Sequence, residues 1–202
     1  MVKQYEFLKL LAAKVTDELI TTNVGGVARE WYHLKDRDGN LYRVQMGGSA
    51  PLAFGLAVAL PERRVICLDG DGSMLMGLTV LPAIGERNPG NLIIIVFDNE
   101  SYLSPGNIPT FTAGATDLIT IAQGAGIRKT RLVKELTEFE EAIDDAFSSK
   151  DASFIVVKVE ASYTPVPYSA LDGAGNKYRF IQYIEKTENI KIIKPAAKKY
   201  KL

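Results

Sequence analysis

Two continuously apolar runs constrain the fold of this chain more than any other feature. They lie within the predicted strands 64–68, where only Arg64 is charged, and 92–97. A strand with one face in water alternates apolar and polar residues, whereas a strand covered on both faces is apolar throughout. A helix-like stretch, residues 76–86, separates the two runs, as in a βαβ unit. The pair therefore predicts a parallel sheet with helices on both faces.

Strand-like and helix-like segments continue to alternate along most of the 202 residues. Further strands are predicted at 18–24, 130–133 and 154–159, and further helices at 5–11, 27–34, 47–60, 117–124 and 136–147. After residue 160, prolines and glycines precede another predicted helix, 177–186, and a basic tail, 191–202. We expect residues 1–165 to form an α/β domain and residues 166–202 to form a C-terminal helix and tail, packed on it or on a partner.

Composition and charge exclude several classes of protein. The 24 basic and 24 acidic residues give a net charge of zero, which does not fit a broadly basic nucleic-acid-binding surface. The single cysteine, Cys67, can form neither an internal disulfide nor a cysteine-based zinc cage, and it fits a reducing compartment. Residues 1–14 lack a signal-peptide core, and no apolar run reaches membrane-spanning length. We therefore expect a cytoplasmic protein that binds neither nucleic acid nor membrane.

Polar turns follow the two apolar runs and carry the candidate chemistry. The first contains Gly70, Asp71 and Gly72, and the second contains Asn99. Glycines let the backbone approach a ligand, and Asp71 offers a hard oxygen to a cation. Because the carboxyl ends of parallel strands can be neighbours, the oxygens of Asp71 and Asn99 are expected to reach one ion. Either residue could instead be an ordinary turn former.

The spacing of these turns resembles the cofactor motif of the thiamine-diphosphate-dependent decarboxylases and synthases. Residues 73–98, which number 26, separate Gly72 from Asn99. The segments 23–26 and 45–55 are similar to two other parts of that family, a diphosphate-contacting turn and the segment that supports the bent cofactor. The resemblance covers residues 18–160 and is strongest to the sulfopyruvate and phosphonopyruvate decarboxylase branch. Neither the dinucleotide-binding fingerprint nor a P-loop fits the glycine spacing.

The resemblance implies a three-layer sandwich around a central, mostly parallel sheet that binds thiamine diphosphate and Mg²⁺. It implies that Asp71, Asn99 and the main-chain carbonyl of Ser101 hold the metal ion. Among the other implied cofactor contacts, Met46 supports the cofactor between its rings, and the Val44 carbonyl accepts a hydrogen bond from the aminopyrimidine. The remaining implied contacts are Asn23, Gly25, Gly26, Gly70, Gly72, Ser73 and Tyr102. Each of three residues has a structural alternative. Met46 could be an ordinary core residue, Asn99 could cap a turn, and Tyr102 could pack on the sheet.

The resemblance also implies a reaction and a partner. In the family the cofactor adds to the ketone of a 2-oxo acid and accepts the electrons released with CO₂, after a glutamate on a different domain has activated it. No region here resembles that domain. We therefore expect no catalytic side chain in this chain and a separate pyrimidine-domain α subunit that supplies the glutamate, in a hetero-oligomer that releases CO₂ and an aldehyde.

Several alternatives to this function remain open. The chain also fits a thiamine-diphosphate subunit of a 2-oxo-acid oxidoreductase or dehydrogenase, an acyloin- or acetolactate-type synthase, and a non-catalytic binding subunit. The loop after Asn99 bears on the substrate. It offers Ser104, Asn107, Thr110 and Thr112 beside apolar Ile108 and Phe111, where the sulfo- and phosphonopyruvate decarboxylases have a more polar loop. A less charged 2-oxo acid is therefore expected, unless the partner provides cations.

Overall fold

The computed structural model describes residues 1–167 and 172–193. Its strands are β1 (Leu19–Asn23), β2 (Asn40–Val44), β3 (Val65–Gly70), β4 (Leu92–Asp98), β5 (Ser101–Tyr102), β6 (Ile108–Pro109), β7 (Lys129–Val133) and β8 (Ser153–Lys158). Its helices are α1 (Gln4–Lys14), α2 (Gly26–Lys35), α3 (Ser49–Ala59), α4 (Asp71–Met76), α5 (Leu81–Arg87), α6 (Leu118–Gly124), α7 (Leu136–Ser148) and α8 (Gly173–Thr187). Single 3₁₀ turns occur at Leu78–Val80 and Phe111–Ala113. Among these elements, none of the helices is long and apolar enough to cross a membrane.

Six strands form one parallel sheet in the order β2-β1-β3-β4-β8-β7. Successive residues of a strand face opposite sides of the sheet. Ile66 and Leu68 of β3 accordingly pack in a core with α1, α2 and α7, whereas Val65 and Cys67 pack in a second core with α3, α5, α6 and α8. The result is the predicted α/β class, with the sheet as the middle of three layers.

The structure corrects three details of the predicted secondary structure. The edge strand β2 was not predicted, because it is short and Arg43 interrupts it with a left-handed backbone (φ 58°). The stretch 76–86 was predicted as one helix, but α4 begins at Asp71 and α5 is separate, with Pro82 in its first turn. A proline lacks the N–H of a helix interior and is tolerated in a first turn. The predicted loop after Asn99 contains the antiparallel pair β5–β6.

The helix α8 covers the outer part of the sheet beside β2. The Asn176 side chain accepts a hydrogen bond from Tyr42 N (2.8 Å) and donates one to Asn40 O (3.1 Å). Phe180 and Ile184 are buried in the second core. The helix is longer than the predicted 177–186, because Asp172 caps it through Gly175 N (2.6 Å). The division at residue 165 stays a prediction, and most of the predicted basic tail, residues 194–202, lies outside the described residues.

Candidate functional site

A cleft opens where the chain leaves β1 and β3 in opposite directions. β1 connects to β2 on one side of it, and β3 connects to β4 on the other. Connections that run apart at the carboxyl ends of parallel strands leave a crevice, which is the usual ligand position in open α/β sheets. The cleft has a volume of about 180 Å³.

Eleven of the twelve residues predicted to contact a cofactor line this cleft. They are Asn23, Gly25, Gly26, Met46, Gly70, Asp71, Gly72, Ser73, Asn99, Ser101 and Tyr102. Val44, the twelfth, is the last residue of β2 and is outside the lining. Three residues that were not predicted also line the cleft, from α1, α2 and the segment after β8: Gln4, Glu30 and Tyr163. No local motif marks these three residues, because only the packing of distant segments brings them together.

The turn after β1 forms a cradle at one end of the cleft. Gly25 has φ 107°, which L side chains rarely adopt, and no atom lies within 4 Å of the position that a Cβ would take. The helix α2 begins at the next residue, and the first N–H groups of a helix have no partner within it. Asn23 Oδ1 is buried without a hydrogen-bond partner. The cradle therefore offers backbone donors to an anion and a polar acceptor to a further group.

Asp71, the first residue after β3, is held in the cleft by two hydroxyl groups. Its Oδ2 accepts a hydrogen bond from Thr110 Oγ1 (2.5 Å) and lies within hydrogen-bond distance of Thr112 Oγ1 (3.1 Å), and only 3% of the residue is exposed. Burial raises the pKa of Asp71, and the hydrogen bond from Thr110 partly offsets that rise. A divalent cation beside this carboxylate would favour its ionised form.

Asn99 and Ser101 share a tight turn at the end of β4. Asn99 Oδ1 accepts a hydrogen bond from Ser101 N (3.0 Å), and Glu100 between them has φ 59°. A carboxylate, an amide and a main-chain carbonyl make an oxygen donor set of the kind that Mg²⁺ takes, with water and phosphate oxygens filling its other positions. Within the described parts of the chain, no group of three His, Cys, Asp or Glu side chains could hold a metal ion, which excludes a site of that composition there.

The turn that carries Met46 is fastened to the start of α4. Gly47 N donates a hydrogen bond to Ser73 Oγ (3.0 Å). Gly47 has φ 77°, and a Cβ on Gly77 would lie 2.9 Å from Gly47 O, so the two backbones are in direct contact. Met46 is half-buried and lines the cleft from this turn. Its position is therefore set by backbone contacts and not by packing in either core.

Gly72 is in close contact with the ring of Tyr102, which yields the first testable prediction. A Cβ on Gly72 would lie 2.1 Å from Tyr102 Cε1. We expect Gly72→Ala to lower the free energy of unfolding by about 1–3 kcal/mol, since the ring must move. The same change in a Tyr102→Ala background should cost almost nothing, as measured by urea unfolding of all four proteins.

Gly55→Ala is the matched control for this prediction. Gly55 lies in α3, and nothing is within 4 Å of the position that a Cβ would take there. Alanine is a better helix former than glycine, so this variant should be neutral or more stable. If Gly72→Ala lowers the free energy of unfolding equally with and without the Tyr102 ring, the steric explanation is contradicted.

The loop after Asn99 does not present its side chains to the cleft as the sequence suggested. Leu103, Ser104 and Pro105 line the cleft, but Ile108 and Phe111 are outside it and are 52% and 78% exposed. The hydroxyl groups of Thr110 and Thr112 are engaged with Asp71, and Asn107 Oδ1 accepts from Ser101 Oγ (2.6 Å). Among the described residues that line the cleft, none is Lys or Arg. The lining formed by these residues therefore provides no cation for an anionic ligand.

Comparisons with known proteins show what the chain is similar to in sequence and in fold. Residues 29–157 match the family described as "Thiamine pyrophosphate enzyme, C-terminal TPP binding domain". The chain is 35% identical to the sulfopyruvate decarboxylase subunit beta of Methanocaldococcus jannaschii, over 92% of this chain and 98% of that protein. It is 33% identical to a phosphonopyruvate decarboxylase of Streptomyces viridochromogenes, over 83% of this chain and 40% of that protein. The solved structure of benzoylformate decarboxylase from Polynucleobacter necessarius superposes with a TM-score of 0.64 at 19% identity, over 81% of this chain and 34% of that one.

Proposed function

Since the chain belongs to the thiamine pyrophosphate enzymes through their C-terminal TPP binding domain, we propose that it is the diphosphate-binding subunit of a split decarboxylase that acts on a 2-oxo acid. One observation carries the proposal. The ends of β3 and β4, paired through Gly70 and Phe97, bring Asp71 and Asn99 to the same cleft as the cradle at Gly25. This arrangement joins a hard-cation donor set to an anion-binding turn, which is what a magnesium diphosphate requires.

In this proposal the residues of the chain bind and orient the cofactor. Asp71, Asn99 and the Ser101 carbonyl would hold Mg²⁺, and the N–H groups of Gly25, Gly26, Gly72 and Ser73 would bind phosphate oxygens. Met46 would support the cofactor from the turn after β2. When bound, thiamine diphosphate supplies a sink for the electrons released with CO₂. The orphaned Asn23 Oδ1 and the side-chain-free space at Gly25 both fit such an occupant.

We propose that a separate pyrimidine-domain α subunit completes the active site and supplies the activating glutamate. The relatives named as β subunits support this, because the chain matches 98% of the length of the one from M. jannaschii. The described cleft lining contains two glutamates, Glu30 and Glu160, and Glu30 is already bound to Gln4 Nε2 (2.8 Å) and Thr164 N (3.3 Å). A cytoplasmic location is part of the proposal and rests on the free, buried Cys67.

The proposed substrate is a 2-oxo acid with a sulfonate or phosphonate tail, which the α subunit would bind. The relatives support an anionic tail, while this chain's described cleft lining has no Lys or Arg to pair with it. A less charged 2-oxo acid is the second candidate, and it is favoured by the same lack of cations. The two candidates differ in their prediction for the exposed loop residues Ile108 and Phe111. These residues should not affect selectivity if the α subunit binds an anionic tail, and they should affect it if the substrate is less charged.

Product analysis across a 2-oxo-acid panel tests both the reaction and the substrate. The complex with its α subunit is assayed with pyruvate, sulfopyruvate and phosphonopyruvate, for CO₂, aldehyde and acyloin products. We expect an aldehyde product and a kcat/KM at least about tenfold higher for an anionic-tail substrate, the selectivity that one charge-assisted contact provides. The double variant Ile108→Gln, Phe111→His should leave that ratio within about threefold.

Two results would contradict these expectations. In the first, the wild-type complex has a higher kcat/KM for pyruvate, and the double variant reduces this difference. That result would show that the loop of this chain determines selectivity for the substrate tail. Acyloin in place of aldehyde would instead identify a synthase.

A further inference from the structure

Two threonines on the loop after β6 link the two buried carboxylates at the ends of β3 and β4. Thr110 and Thr112 are each 5% exposed, and their hydroxyl oxygens are 2.8 Å apart. Thr110 donates to Asp71 Oδ2 (2.5 Å), and Thr112 lies within hydrogen-bond distance of both Asp71 Oδ2 (3.1 Å) and Asp98 Oδ1 (2.8 Å). The two hydroxyl groups thus lie between two acidic side chains of the same charge.

The geometry restricts the orientation of Asp71. Both threonine hydroxyl groups contact Oδ2 and not Oδ1, so Oδ1 is outside this pair of contacts. A carboxylate that is hydrogen-bonded through one oxygen loses rotational freedom, so its other oxygen points in a defined direction. Hydrogen bonds to ligating carboxylates orient them for a metal ion in this way.

The position of Thr112 is in turn set by an ion pair on its other side. Asp98 is buried, and its Oδ2 lies 2.7 Å from Lys158 Nζ. Its Oδ1 also accepts a hydrogen bond from Glu100 N (3.1 Å). Lys158 compensates the charge of Asp98, so this carboxylate can remain buried close to Asp71.

The pair β5–β6 brings the two threonines to this position. Thr110 N donates to Glu100 O (3.0 Å), directly beyond the pairing of Ser101 with Pro109. The loop therefore lines the cleft only with residues 103–105 and then returns to the end of β4. Its buried hydroxyl groups contact Asp71, and its apolar side chains at 108 and 111 face outward.

We propose that Thr110 and Thr112 are positioning residues that hold Asp71 in the orientation required to bind Mg²⁺. This inference rests on the proposed function, in which Asp71 is a metal ligand. It assigns a task to the loop that is distinct from substrate recognition. The conservative serine variants retain the hydroxyl groups and should retain the effect.

The test measures the Mg²⁺ concentration that half-saturates thiamine diphosphate binding, by calorimetry on the full chain in the assembly in which it purifies. Thr110→Val with Thr112→Val should raise that concentration about 10- to 100-fold, the usual effect of removing hydrogen bonds to metal ligands. The serine double variant should stay within about threefold of wild type, below the range for a lost contact. Thr21→Val, which removes a fully buried hydroxyl elsewhere in the sheet, is the matched control and should leave the concentration unchanged.

The outcomes separate this inference from the proposed function. Wild-type binding with no Mg²⁺ dependence would overturn the proposed function and the positioning role together. Normal wild-type binding, with an equal Mg²⁺ requirement in the folded valine variant, would overturn the positioning role alone. Circular dichroism verifies folding, and if the double variant does not fold, each single valine variant is measured and must show a weaker form of the same shift.

Discussion

Asp71→Ala is expected to abolish Mg²⁺-dependent binding of thiamine diphosphate while the fold remains intact. Asp71 supplies the only carboxylate in the proposed ligand set, so its removal leaves the charges of a divalent ion and a diphosphate poorly matched. We expect the affinity for the cofactor to fall by at least about 100-fold. This is a larger effect than the loss of a hydrogen bond to a metal ligand produces. Isothermal titration calorimetry at a fixed Mg²⁺ concentration, with the α subunit present, measures the change.

Two variants make this experiment specific. Asp71→Asn keeps the shape of the side chain and removes its charge, so it should also lose most of the affinity. Asp117→Asn alters a surface aspartate that caps α6 outside the cleft, and it should bind as wild type does. An unchanged affinity in Asp71→Ala would remove the proposed metal site and the function built on it.

The chain by itself is expected to have almost no decarboxylase activity and to gain it when the α subunit is added. The activating glutamate is proposed to lie on that subunit, and a general acid–base group of this kind contributes about 10²- to 10⁴-fold to a rate. CO₂ release is therefore expected to rise by at least about 100-fold on reconstitution. The titration of one chain with the other should saturate, since each active site needs both.

The Asp71→Ala chain serves as the control for reconstitution. It should assemble with the α subunit and remain inactive, which separates assembly from cofactor binding. Full turnover by the purified 202-residue chain without any partner would contradict the division of the active site between two subunits.

The parts of the fold that the sequence predicted are those whose signals are local. The apolar runs of β3 and β4 can be recognised because both faces of these strands are buried, and the structure confirms the parallel sheet. The resemblance to the thiamine-diphosphate family is confirmed by the match over residues 29–157. Asp71 and Asn99 meet at one cleft for the same reason, since they directly follow the ends of β3 and β4, two to three residues beyond the ends predicted for these strands.

The features that escaped prediction depend on contacts between distant segments. The edge strand β2 is only five residues long and contains Asn40 and Arg43, so its sequence does not indicate a strand, and its pairing with β1 defines it. Gln4 and Tyr163 reach the cleft only because the segment after β8 returns beside α1, where Glu160 N bonds to Val2 O (3.1 Å). The threonines of the loop were interpreted as substrate contacts, since nothing local reveals that their hydroxyl groups turn toward Asp71.

The position of β8 has a consequence for the biogenesis of this protein. β8 is the last strand of the sheet in the sequence, yet it is inserted between β4 and β7. While the chain is being synthesised, the apolar edge of β4 stays unpaired until residues 153–158 have emerged, and such an edge can recruit strands from other nascent chains. The same strand delivers Lys158 to Asp98, so the charge balance beside the cleft is completed at that late step. Closure of the sheet by β8 is thus the stage at which chaperone protection should matter most for yield.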